Sequence, residues 1–497
     1  MISSRNAARL NPSDVTPVTY RGLEYHWHPA AFLSRQQAEY ALQQFWNRCH
    51  VDSDCWRHTH RLAIPAATQA DVHRLFDTAD GQLPWVPLRP LAKPGSALDF
   101  DTDHLPCAIA VASDVDAGLA NLHCDGRNEF PIDVIAFTFL MLTRWEEAKL
   151  SLKRDAHGRI AREALLASRQ EFHQRPVVDE WALVVGSWLR DSGLDLHATL
   201  QQSARVLMTH DIDHPYRFAT PGHIARHAAG ELIRHSHNPI QAYREFQRGW
   251  RSWRTGTQDP YRRAIDWLMD LDEWLGLQGH FFFMSSDPSR FDEGYNLRQP
   301  RLQQMLREIE LREHHIGWHP SYMTVRDPDL FARELSRFQH ATGRTAVGGR
   351  QHYLRWDPQS SWDRWSASGL TFDCSVGFAD CCGFRCGTSH PFPAYSHTQD
   401  HSLSLVEHPL HIMDCGLFQE CRDATSATQK MYEILGRIRQ VGGEAVTLIH
   451  NSFADSATIE AMVEPLQWLQ SSQIPTDHRP PSQTQLPPWP ALRRRAG

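Results

Sequence analysis

Val206-Leu207-Met208-Thr209-His210-Asp211-Ile212-Asp213-His214 is a short apolar run that leads directly into two acids one residue apart. The apolar part has the length and composition of a buried strand. Side chains at i and i+2 of a strand face the same way, so Asp211 and Asp213 share one face at the strand end. In α/β folds the carboxyl ends of parallel strands are where sites are built. An Asp-x-Asp in that place can divide the work: one acid holds a divalent metal and the other stays available as a base. A single aspartate after a strand often just caps the next turn. The pair, flanked by His210 and His214, points to chemistry instead.

From residue 203 onward, short apolar runs alternate with helical patterns, which implies parallel strands. The runs are Val206–Met208, His280–Met284, His315–Trp318, Leu370–Phe372, Leu403–Val406 and Ala445–Ile449. Several end on polar groups. His319 follows the third run, Arg350 and His352 follow Gly348-Gly349, Asp373 ends the fourth, and His450 ends the last. Asp, His, Arg, Asp and His at successive strand ends are the components of metal-assisted hydrolysis.

The rest of the chain frames this half. At 497 residues, with 41% hydrophobic and 22% charged residues and net charge −7, there is room for two domains with full cores. No basic face suggests a nucleic-acid partner, and no stretch has the length of a membrane span. Residues 1–20 read as a flexible arm. Residues 21–200 read as an N-terminal α/β domain of unknown role, with helices over Arg35–Cys49, Val134–Lys149 and Pro176–Leu194. Residues 203–474 form the second domain, with a helical insertion at 219–262, and the Pro-rich 475–497 is expected to be a disordered tail. The start of the chain lacks the apolar core of a secretory signal, so a cytoplasmic location is expected. Cys374, Cys381, Cys382 and Cys386 crowd one segment, but the second pair a zinc ribbon needs is absent, and reduced thiols are expected.

The order of motifs resembles the polysaccharide deacetylases of the NodB-homology type, carbohydrate esterases that remove acetyl groups from sugars. Thr-His-Asp-Ile-Asp at 209–213 is similar to their first motif, His-His-Ile-Gly-Trp-His at 314–319 to the second, and Arg350, Asp373 and Leu448-Ile449-His450 to the third, fourth and fifth. The chain is more similar still to a bacterial subgroup with an extra α/β domain in front. There the matching stretches include Leu142–Glu147, Asp155-Ala156-His157-Gly158-Arg159, Arg175–Glu180 and Gly383–Thr388.

The resemblance implies a distorted (β/α) barrel preceded by a smaller mixed α/β domain. It implies Asp211 as general base, His450 as general acid, Arg350 holding Asp211, and Asp373 orienting His450 or Arg350. It also implies Asp213 and His319 as ligands of a divalent metal, zinc being the expected ion, with cobalt, nickel or iron as alternatives. One departure matters. The family's second histidine, four residues after the first, is replaced here by Met323, and a thioether is a poor ligand for such a cation. His352 is the first candidate to replace it; His315, His214 or a water molecule are the alternatives.

Trp318, Tyr322, Tyr353 and Trp356 flank the expected site and could stack on sugar rings, although core packing would also use them. Arg385 could bind an anionic sugar or fix a loop by an ion pair. Arg144, Glu146 and Glu147 read as an interface salt-bridge set. His280 and His314 read as structural. The implied partner is an acetylated glycan or lipid-linked sugar. Oligomeric state, the identity of the glycan and the choice between N- and O-acetyl stay open. A catalytically silent glycan-binding module and an amidase acting on non-sugar amides are the rival readings.

Overall fold

The computed structural model describes residues 15–21, 23–49, 62–77, 85–87, 104–106, 132–191, 203–234, 239–256, 258–453 and 456–471. The expected tail at 475–497 lies outside them, as does most of the expected N-terminal arm. The last residues of that arm are strand. β1 (Thr16–Tyr20) pairs antiparallel with β2 (Leu23–Trp27), and β3 (Leu62–Pro65) runs parallel to β2. Period-2 alternation puts Leu23 and Tyr25 inward, onto a core shared with the helices Arg35–Trp46, Val134–Leu142 and Val177–Asp191. β4 (Trp85–Pro87) and β5 (His104–Pro106) form a separate antiparallel pair.

Helix 134–142 is apolar all round and buried along its whole length. Asp133 caps it by accepting from Ala136 N–H at 2.8 Å, and also accepts from Ala67 N–H at 2.7 Å and the Tyr25 hydroxyl at 2.8 Å. The expected single helix over 134–149 is broken at Arg144, which sits in the left-handed region with φ 54° before a short second helix, Trp145–Lys149. The break turns the Arg144 guanidinium onto Glu147 at 2.7 Å and Glu146 at 3.2 Å, both buried.

The second half is built on β6 (Arg205–Ile212), β7 (His280–Phe283), β8 (His315–Trp318), β9 (Gly348–Gly349), β10 (Phe372–Asp373), β11 (Phe392–Ser396), β12 (His401–Glu407), β13 (Ile412–Met413) and β14 (Glu444–Leu448). They make one nine-stranded sheet in the order β11-β12-β10-β9-β8-β7-β6-β14-β13. Every pairing is parallel except the β11/β12 hairpin. The expected distorted barrel is thus met in part: among the described residues the sheet curls without closing, with β11 and β13 as its two edges. Residues 392–407 are spent on a hairpin rather than a strand–helix unit, and the front half packs against it. Tyr395 of β11 belongs to the front core, in ring contact with Tyr40 and Phe139, and the Tyr40 hydroxyl donates to Pro393 O at 2.7 Å.

β9 lies so close to its neighbours that only glycine fits. A Cβ at Gly349 would meet Trp318 O at 1.7 Å, and one at Gly348 would meet Phe372 O at 2.0 Å. That close approach delivers Arg350 and His352 to the same sheet end as Asp211, His319 and His450. The expected insertion is two helices, Pro221–Arg234 and Pro239–Thr255, followed by Pro260–Trp274.

Candidate metal centre and catalytic site

Asp211 and Asp213 lie at the end of β6, on the side sequence alternation assigns them. Asp211 is buried and accepts from Arg350 Nη1 at 2.9 Å. Arg350 is held on three sides: Nη2 donates to Thr209 Oγ1 at 2.9 Å, Nε donates to Cys374 O at 2.9 Å, and the guanidinium lies 5.3 Å from the Phe282 ring centre. A fully buried cation with every nitrogen engaged fixes the carboxylate it faces.

Asp213, His319 and His352 come together, with one ligand atom from each inside a 4.8 Å cluster. His319 Nε2 is 3.2 Å and His352 Nε2 3.6 Å from Asp213 Oδ1. The far nitrogens of both rings are tied down. His319 Nδ1–H donates to the Arg350 carbonyl at 2.5 Å, and His352 Nδ1–H to Asp292 Oδ1 at 2.8 Å. A carbonyl can only accept, so a proton of His319 sits on Nδ1, and Nε2 is the atom of each ring left facing Asp213. This carboxylate-or-carbonyl backing is how metal-binding histidines are oriented. Asp213 Oδ1 and His319 Nε2 are buried and have no hydrogen-bond partner in the protein. Buried polar atoms left orphaned cost folding energy. A divalent cation bound between them would satisfy both, so the donor set fits a metal. Burial pushes the Asp213 carboxyl up, but His352, His319 and His450 more than offset this and hold it well below the usual carboxylate range.

Met323, where the family has its second histidine, is exposed and plays no part. His315 faces outward at the start of β8, beside Gln278, and His214 pairs with Glu293 at 3.3 Å. Of the candidates for the third ligand, His352 is the one that joins Asp213 and His319.

His450 lines the same pocket. Its backbone N–H donates to Asp414 Oδ2 at 2.8 Å and its ring Nδ1 to Asp414 Oδ1 at 2.7 Å. Burial lowers its pKa, but Asp414, Asp213 and Asp211 raise it further, to about 9. Of the two partners expected for Asp373, His450 is bonded to Asp414 instead, and Arg350 donates to Asp211, Thr209 Oγ1 and Cys374 O. Asp373 instead accepts from Ser375 N–H and hydroxyl, and faces Glu407 deep in the sheet. Burial raises both acids, Asp373 to about 6 and Glu407 well above the usual carboxylate range. Asp414 also joins Cys415 and His450 in a second possible ligand group. There the carboxylate and imidazole already satisfy each other, and burial pushes the Cys415 thiol well up, so no thiolate is on offer.

Three expected substrate contacts are corrected. Trp318 is fully buried, donating Nε1–H to Ser285 Oγ at 3.1 Å and packing on Phe331 and Trp365. Tyr322 is sandwiched inside the wall, its ring stacked on Phe291 at 4.0 Å with the Arg355 guanidinium 3.8 Å from its centre. Arg385 is buried against Glu147 at 2.5 Å and Gly377 O at 2.8 Å, so it locks the front half to the sheet. Tyr353, by contrast, lines the pocket and is partly exposed. It and Leu354 have φ of 60° and 52°, a left-handed turn that non-glycine residues adopt only when held there.

The pocket has a volume of about 450 Å³ and is walled by Asp211, Asp213, His352 and His450 together with Tyr353, Phe291 and, from the front half, His157 and Arg159. Arg159 Nη1 donates to Tyr353 O at 2.9 Å, and the His157 carbonyl accepts from Arg355 Nε at 2.9 Å. The sequence reading missed Asp292, Asp414 and this front-half loop as parts of the site. Asp414 follows the apolar pair Ile412-Met413, the same strand-end signal that marks Asp373. Asp292 carries no local pattern at all.

A family of unknown function (DUF7033) matches residues 91–193, a stretch within the front half. The chain is similar to a solved structure from Mycobacterium smegmatis, provisionally described as a polysaccharide deacetylase. The identity is 16%, the match covers 55% of this chain and 84% of that one, and the TM-score is 0.34. No curated protein matches.

Proposed function

We propose that this protein is a metal-dependent hydrolase that removes acetyl groups from a glycan or glycan precursor. The observation that carries the proposal is the Asp213, His319 and His352 cluster, whose two histidines turn Nε2 inward toward Asp213 Oδ1, a buried oxygen with no hydrogen bond in the protein. Asp213, His319 and His352 would hold the ion. A divalent cation supplies Lewis-acid activation of water and of the acetyl carbonyl.

The remaining steps belong to the protein's own groups. Asp211, fixed by Arg350, takes the proton of the attacking water. His450, charged near neutrality and aimed by Asp414, gives a proton to the departing amine or alcohol. Tyr353 and Phe291 offer aromatic faces to a sugar ring in a pocket of about 450 Å³. The strand-end motif order at 209–213, 314–319 and 448–450 favours acetylated sugars over simple amides.

The test is acetate release by the zinc-, cobalt- or nickel-loaded protein from N- and O-acetylated oligosaccharides, with acetylated simple amines alongside. Asp211→Asn is expected to lose at least about 100-fold in kcat while binding metal as before. Absence of acetate from every sugar with every metal, or normal turnover by Asp211→Asn, refutes the proposal.

A further inference from the structure

Helix 239–255 is amphipathic, yet it is mounted with its apolar side outward. The side chains it buries are Glu245, Gly249 and Ser252, one stripe at i, i+4 and i+7. Gly249 lets the helix press on its neighbour, since a Cβ there would meet Ile224 Cγ2 and Phe218 Cδ1 at 2.9 Å. Glu245 is neutralised by Arg217 at 2.8 Å. Ile240 and Tyr243 (61% exposed each), Phe246 (41%) and Trp250 (39%) face solvent. Phe246 stacks on Trp250 at 6.1 Å and Trp250 leans on Trp253 at 5.3 Å, a continuous aromatic ridge. A soluble helix normally does the reverse, and a contiguous exposed apolar patch marks an interaction surface.

Charge says what that surface meets. Arg244, Arg248, Arg251 and Arg254 are all exposed, and Glu245, turned inward, is the one acid between residues 239 and 256. At 100° per residue the first three form a row along one border of the aromatic ridge, and the Arg254 guanidinium lies 5.9 Å from the Trp250 ring. Aromatic rings bordered by arginines, on a helix too polar to cross a bilayer, are the composition of a segment that lies in a lipid headgroup layer. No helix among the described residues is long and apolar enough to span one.

We propose that helix 239–255 is a docking surface for an anionic membrane, seating its aromatic ridge among the acyl chains and its arginines against acidic headgroups. Through Gly249 the helix packs on Ile224, the residue after His223. His223, on the preceding helix 221–234, contacts Glu293 at 3.2 Å, and Glu293 lines the pocket. A protein docked this way would meet substrates carried on the membrane, but the docking itself does not depend on the catalytic proposal.

The test is sedimentation of the full chain with phosphatidylglycerol/phosphatidylcholine vesicles and with phosphatidylcholine vesicles alone, beside its sedimentation equilibrium without lipid. Binding is expected to the acidic vesicles, to fall as salt rises, and to drop at least about 25-fold in Arg248→Glu/Arg251→Glu, at roughly fivefold or more per arginine. Tyr243→Ser/Trp250→Ser should weaken it comparably, with circular dichroism showing both variants folded. Equal partition of the unaltered and charge-reversed proteins, or no binding to acidic vesicles, overturns the proposal. So does a dimer that Phe246→Asp converts to monomer, since the ridge would then be covered by a second copy.

Discussion

Replacing His352 by alanine should cost the protein its metal. The ring has one task on each nitrogen: Nδ1–H donates to Asp292 at 2.8 Å, and Nε2 points toward Asp213 Oδ1 at 3.6 Å. Zinc sites with four protein ligands bind with about 10–16 kcal/mol, so one ligand is worth roughly 3–4 kcal/mol, or about 10²–10³-fold in affinity. Losing only the partner that orients a ligand costs about 10–100-fold. His352→Ala is therefore expected to lower zinc affinity by 10²–10³-fold, as estimated above, and Asp292→Asn by the smaller factor. Met323→Ala, at an exposed position, should change nothing. The assay is competition against a chromogenic chelator at pH 7.5, with bound zinc counted by elemental analysis after dialysis. Thermal unfolding of each variant without metal separates loss of a ligand from loss of the fold. If His352→Ala keeps zinc affinity within about threefold of the unaltered protein while Asp213→Ala loses it, the third ligand lies elsewhere and the reasoning from Nδ1 tethering is wrong.

Two further outcomes follow from the buried polar groups. Asp414→Asn should lower kcat by about 100-fold or more, because His450 loses the acceptor that aims it, yet leave zinc affinity within about threefold; the same change at Asp373 should act mainly on stability, read by denaturant unfolding. His411 is buried, donates Nε2–H to Thr388 O at 3.2 Å and accepts from Val446 N–H, so burial depresses its pKa to about 4. A histidine depressed in the folded state contributes stability above its unfolded pKa of about 6.5 and loses it as pH falls toward 4. Unfolding free energy should thus drop by about 2 kcal/mol between pH 7 and pH 5 from this group, and His411→Phe should flatten that part of the profile. An unchanged slope in the variant refutes the assignment.

Much of the site was legible along the chain because strand periodicity is local. Alternation puts Asp211 and Asp213 on one face whatever the rest of the fold does. A polar residue after an apolar run marks a strand end, which is how His319, Arg350 and His450 are found. Donor chemistry disqualified Met323, and its place two residues after Arg350 made His352 the first replacement. Asp373 and Asp414 carry the same strand-end signal, and nothing local separates the one buried against Glu407 from the one bonded to His450. That depends on how β10 and β13 are placed in the sheet.

The aromatic residues show the same division. Trp318, Tyr322 and Tyr353 are equivalent in a sequence. The first is core, the second is wall, and the third reaches the pocket because two left-handed residues turn the chain there. Asp292 reaches His352 across 60 residues, and the loop at 157–159 reaches the pocket from the other half of the chain. The open sheet edge, covered by the front half rather than closed by another strand, is a further case. The reason is one of range. Backbone geometry decides the facing of a side chain within its own strand or helix over a few residues, whereas the distance between two elements is set by the packing of everything between them. The identities of the candidate site residues were thus written in the chain, and their partnerships were made by packing.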